Sequence, residues 1–185
     1  MFMLILGLIL WIGAHYFKRL APDARARLGD PGKGLVAVLI IASLVLMILG
    51  YRGADFIPVW SPPSFMVHIN NLLMLLALWV YGSSAAKGAK AWPAYKTRHP
   101  QLLGFKIWAF AHLLVNGDLA SIILFGGLLG WAVVSVILIN RAEPDWTPPA
   151  PAGRATYVRL AVISLVFFAV IAGIHIWLGV SPFPS

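Results

Sequence analysis

A chain of 185 residues has room for one domain of ordinary size. Of these residues 61% are hydrophobic and only 11% charged, with a mean hydropathy of +0.87. A water-soluble domain is about half apolar and a quarter charged, so a soluble surface is excluded and lipid must cover much of the chain. The net charge of +8 would favour nucleic acid if the basic residues formed a patch. They fall instead in short loops between apolar runs, which makes membrane lipid the partner and excludes nucleic acid. With no cysteine there is no disulfide, no thiolate metal site and no cysteine nucleophile.

The first apolar run covers residues 2–17, with no positive charge ahead of it and Lys18 and Arg19 behind it. That order of charge, without a small-residue cleavage site, predicts a retained first span and not a secretory leader. Further apolar runs cover residues 34–50 and 65–84, the second preceded by Pro58, Trp60, Pro62 and Pro63. Tryptophan in such a connection suits headgroup depth.

The run 101–139 is too long for one crossing: as a single helix it would extend about 58 Å at ~1.5 Å per residue, nearly twice the ~30 Å of hydrocarbon. Asn116-Gly117-Asp118 is a turn signal within it, and Asp118 stands where it would cap a following helix. The run therefore divides into spans at 101–116 and 119–139. Gly126 and Gly130 in the second half form a GxxxG pair that predicts close helix packing. After an extended connection rich in proline (Pro144, Pro148, Pro149, Pro151) comes a last run at 157–180. The fold expected is an all-α polytopic membrane bundle of about six transmembrane helices, forming a single domain over 1–185.

Charge supports this count independently. Of the 14 lysines and arginines, all but Arg52 lie in the three stretches 18–33, 85–106 and 140–159, which alternate in phase with six spans. The positive-inside rule then puts those stretches in the cytoplasm and both termini on the periplasmic side of a bacterial inner membrane. With 101–139 kept whole, the stretch 140–159 would fall on the wrong side.

Polar and ionisable residues inside spans are costly and mark function by default. They are His15, His68, Asn70, Asn71, His112, Asn116, Asp118 and His175, with His99 at an inner edge. His15 lies three residues before Lys18, and His112 six residues after Lys106, so both are expected in the inner half, facing one another. His68 and His175 belong to the outer half, where a structural role is the simpler expectation and a second haem or metal site the sharper one. Two histidines at one depth on different helices suit six-coordinate haem b, which takes a neutral imidazole on each face of the iron within an apolar slot. Trp11 and Trp108 each precede one of these histidines by four residues and so share its helix face. Ala109 lies on the same face and leaves room for a ring, and Asn116 is a neighbouring polar group. The plainer alternatives are an interfacial histidine for His15 and His99, an interhelical hydrogen bond for His112, and packing for the tryptophans. Asn70 and Asn71 are expected to hydrogen-bond between helices.

The run Arg98-His99-Pro100-Gln101, the block Trp108-Ala109-Phe110-Ala111-His112-Leu113, then Asn116-Gly117-Asp118 and Phe125-Gly126, with Gly13-Ala14-His15 near the start, resembles the NnrU family. That family is similar to the plant 15-cis-zeta-carotene isomerases of the same superfamily. The resemblance implies a membrane protein linked to denitrification, in nitrite and nitric oxide metabolism. Through the isomerases it implies haem b held by two histidines, mapping by motif to His15 and His112, and redox-assisted rotation about a cis double bond of a hydrophobic small molecule. Ala109 stands where the isomerases carry a cysteine, so no cysteine-based ligand exchange is expected here. Two other function classes remain: a non-enzymatic membrane partner that supports assembly or expression of denitrification enzymes, and a small transporter.

Overall fold

A computed structural model describes residues 1–183. Its helices are α1 (Phe2–Leu20), α2 (Pro22–Arg27), α3 (Pro31–Arg52), α4 (Met66–Gly82), α5 (Pro100–Val115), α6 (Leu119–Ala142) and α7 (Arg154–Trp177). Proline opens α2, α3 and α5 within the first turn, where its missing N–H costs nothing. The expected break in the long apolar run is present. Helix α5 stops at Val115 and α6 begins at Leu119, with the Asp118 carboxylate accepting from the Ser121 N–H at 3.0 Å. That bond satisfies one of the four donors a helix start leaves free.

By length and composition α1, α3, α6 and α7 are each able to cross a membrane, while α4 and α5 are shorter apolar helices of 17 and 16 residues. The outward faces are apolar along their length, as at Val38, Ile41 and Ile48 on α3 and Val162, Val166 and Val170 on α7. Such continuous exposed apolar faces are rare on soluble monomers and are consistent with contact with membrane lipid.

Packing arranges the helices in a row: α3 lies on α1, α1 on α6, α6 on α5, α5 on α4, and α4 on α7. The α1–α3 contact is close because glycines remove side chains at its centre. A Cβ at Gly50 would collide with the backbone of Leu4, and one at Gly7 would lie 2.8 Å from the Met47 nitrogen. Without a hydrophobic drive between helices in lipid, such close backbone approach is what holds a pair together. The expected packing role of Gly126 and Gly130 is not seen: a Cβ at either would meet nothing within 4 Å, whereas the glycine between them, Gly127, is pressed against Leu8. The spacing was right for a helix face, but the face that packs is rotated by one residue.

The connections gather at two ends. At one, Val59 and Trp60 donate to the Gly117 carbonyl at 2.8 and 3.1 Å, and Leu119 donates to the Ile57 carbonyl at 2.9 Å. Gly117 is required there, because any Cβ would run into the Trp60 carbonyl. Asn71, near the start of α4, reaches the Pro182 carbonyl at 2.9 Å and ties the segment after α7 to the same side. At the other end, Lys90 exchanges backbone bonds with Ala150 and Ala152, both at 2.8 Å. Arg19 and Arg98 there both face Glu143. Successive apolar helices therefore run in alternating directions, and the stretches rich in lysine and arginine share one end, called the basic end below.

Candidate functional site

The sequence places candidate residues along the helices; packing sorts them into two cavities. The first lies between α4, α5 and α7 and is lined by Met74, Ala77, Tyr81, Phe105, Trp108, His112 and His175 among others, with a volume of about 250 Å³. The second, about 490 Å³, lies at the basic end and is lined by His15, Tyr16, Arg19, Arg98, His99 and Trp131 among others.

His15 and His112 therefore line different cavities. The aromatic rings of Trp131, Phe105 and Trp108 link them: His15 to Trp131 at 4.8 Å, Trp131 to Phe105 at 5.2 Å, Phe105 to Trp108 at 5.0 Å and Trp108 to His112 at 5.1 Å between centroids. The reason is depth. Counted from Lys106, His112 is expected in the inner half, but α5 begins at Pro100 and ends at Val115. His112 is thus about 18 Å along it at ~1.5 Å per residue, within the last turn at the end away from the basic stretches. His15 lies near the C-terminus of α1, in its last two turns at the basic end.

The residue brought beside His112 is His175, near the end of α7. His68 is exposed at the start of α4 and does not join them. Both partners are held in one tautomer by the same device. The Nδ1 of His112 lies 2.9 Å from the Trp108 carbonyl, and that of His175 lies 2.8 Å from the Ile171 carbonyl, each four residues back on its own helix. A carbonyl oxygen only accepts, so Nδ1 carries the hydrogen and, in the neutral ring, Nε2 keeps its lone pair. His15 is held in the same way by the Trp11 carbonyl at 2.8 Å. Three imidazoles thus keep a ligand-competent Nε2, and two of them, His112 and His175, line one apolar cleft.

Other side chains complete the picture. Residues Ile122–Gly126 of α6 form a turn of π-helix, and this wider turn carries Phe125, whose ring stacks on His112 at 4.5 Å with 27° between planes. Such turns are rare and recur at functional sites. Trp108 packs beside His112, and Trp11 lies 4.1 Å from His15, so both tryptophans sit with their histidines as their spacing predicts. Ala109 is fully buried in helix packing and does not line the cleft, contrary to the expectation that it opens space for a ring. Asn116 donates to the His112 carbonyl at 2.8 Å, closing the C-terminus of α5 behind the imidazole. Asp118 bonds the Ser121 hydroxyl, which meets the Tyr51 hydroxyl at 2.8 Å. Asn70 and Asn71 bond each other at 3.3 Å, within one helix and not between helices as expected. His175 was the residue undervalued from sequence. The available signal was its distance from its own helix end, which matches that of His112.

The fold and the cleft define an all-helical membrane protein whose histidine side chains converge between helices. More particularly, the chain belongs to the NnrU family: the family described as NnrU protein matches residues 3–182, nearly its whole length. No curated protein and no solved structure matches it.

Proposed function

We propose that this NnrU family member is a haem-b-binding integral membrane protein that crosses a bacterial inner membrane six times with both termini periplasmic. The observation that carries the cofactor assignment is the pair His112 and His175, each held by an Nδ1–H bond to its own helix and both lining one cleft. The donor chemistry fits the group: two neutral imidazoles would hold the iron, and Trp108, Phe105, Met74 and Ala77 would offer apolar surface to a macrocycle, to which the iron would supply one-electron chemistry. His15, the partner that the family motif implies, lies in the other cavity, so the geometry favours His175 as the second ligand.

The six crossings rest on the alternation of helix direction and on the gathering of basic residues at one end. The two short helices span by tilt or local thinning of the bilayer. For chemistry, the reading is redox physiology linked to denitrification, or isomerase-like chemistry on a hydrophobic polyene held beside the cleft. The buried Ala109 offers no sulfur ligand, which weighs toward the first of these. A second reading is favoured by one observation: the stretches 83–99 and 143–153 are hydrogen-bonded into a platform that exposes Trp92, Lys96 and Trp146. That platform suits a non-enzymatic partner of denitrification enzymes.

The test is a reduced-minus-oxidised spectrum of protein purified after haem-replete expression. His112→Ala and His175→Ala are expected to lose the haem bands and His15→Ala to keep them. Wild-type haem in His112→Ala contradicts the assignment. Loss in His15→Ala with retention in His175→Ala moves the second ligand to α1.

A further inference from the structure

The cavity at the basic end has a chemistry that the haem reading leaves unused. It lies where α1 and α6 finish and α5 begins, and two guanidinium groups of its wall, those of Arg19 and Arg98, converge on one anion beside it. Glu143 lies 3.5 Å from Arg19 Nη1 and 3.6 Å from Arg98 Nη2. A single carboxylate thus marks the point at which both arginines can hold an oxyanion. In charge the balance is incomplete, since two cations face one carboxylate; Arg98, only 17% exposed, also donates to the Glu143 and Pro144 carbonyls, which carry no net charge. A cation so withdrawn from water needs full pairing to offset its desolvation.

Further features point the same way. The first turn of α5, from His99 to Leu102, forms part of the wall, and helix starts carry free N–H groups and a partial positive charge. Trp131, 9% exposed, lines the same cavity, and its indole N–H has no acceptor among the described residues. Glu143 is itself 61% exposed, one residue past the end of α6, so releasing it to water costs little. The cavity volume of about 490 Å³ exceeds what one carboxylate fills.

We propose that this cavity binds one phosphate-type oxyanion between Arg19 and Arg98, with Glu143 as the internal anion it displaces. Arginine is suited to this, since its planar fork pairs bidentately with phosphate oxygens. The oxyanion is carried either by an anionic phospholipid headgroup or by the free ion. The site stands apart from the haem assignment, because none of these residues lines the His112–His175 cleft.

Isothermal titration calorimetry on the full chain in a non-ionic detergent tests the proposal, at ionic strength held constant with sodium chloride. The probes are sodium phosphate, short-chain phosphatidylglycerol, and phosphatidylcholine of the same chain length. A saturable response to phosphate assigns the free ion; one to phosphatidylglycerol alone assigns the lipid headgroup. Glu143→Gln is expected to tighten binding about tenfold by removing the competitor, and Arg19→Gln and Arg98→Gln to weaken it about tenfold or more. The opposite signs separate a binding role from a fold defect, and Arg19→Gln with Glu143→Gln suffices if Arg98→Gln fails to fold. The proposal is overturned if neither anionic probe saturates in the wild type and in Glu143→Gln. It is also overturned if phosphatidylcholine binds as well as phosphatidylglycerol, or if Arg19→Gln binds like the wild type.

Discussion

His15 at one end of the bundle and His112 and His175 at the other are held by the same local bond, yet their surroundings are built from different physics. Around His112 and His175 the walls are apolar, and the nearby turn is locked by backbone bonds between residues 57–60 and 117–119. Around His15 and His99 the walls carry two arginines that pair with the exposed Glu143, and the connections are joined by backbone bonds between Lys90 and residues 150 and 152. An imidazole among apolar side chains, tied at Nδ1, is poised as a ligand. At the basic end the same imidazole lines a wall shared with two arginines. The difference teaches that residue type alone does not assign a histidine; the surrounding wall does.

Damage to the backbone-locked end should be the most costly. Gly117→Val puts a branched side chain where the Trp60 carbonyl already sits. We expect a loss of about 3 kcal/mol or more, read as a fall in the thermal midpoint in detergent together with loss of haem. Asp118→Ala removes the cap on α6 and the partner of Ser121, for an expected loss of about 1–2 kcal/mol in the same assay. A wild-type midpoint in both variants would break the contrast between the ends.

Lesions at the basic end should be milder. Tyr16 donates to the Trp131 carbonyl at 2.7 Å, but Ser135 donates to that carbonyl as well, at 2.8 Å. Tyr16→Phe therefore leaves no orphaned acceptor and should lower stability by about 1 kcal/mol. Glu143→Gln removes the charge of an exposed carboxylate while Arg98 keeps its bonds to the Glu143 and Pro144 carbonyls, so its stability effect should stay below about 1 kcal/mol. A larger loss than in Asp118→Ala would show that charge, not backbone bonding, organises the molecule.

Much of this architecture was legible in the sequence because lipid imposes simple rules. The apolar runs matched the helices within a few residues, since a crossing sets their length. The break at Asn116–Asp118 was readable because one helix cannot run through twice the membrane. The distribution of lysine and arginine marked which stretches share an end. The site was less legible. The depth of His112 depended on where α5 starts, and Pro100, not Lys106, sets that start. The π-helical turn that carries Phe125 onto His112 leaves no periodic signal, because a single wide turn does not alter the apolar pattern. The partnership with His175 depended on α7 packing against α4, a choice among neighbours that no pattern within α7 encodes, since the helix is apolar on every side.

The central claim is that His112 and His175 together hold haem, and a spectrum of the purified protein tests it most directly. The account predicts haem bands in the wild type and in His15→Ala, with their loss in both His112→Ala and His175→Ala. A colourless wild type from haem-replete cells, or an unchanged spectrum in His112→Ala, would contradict it.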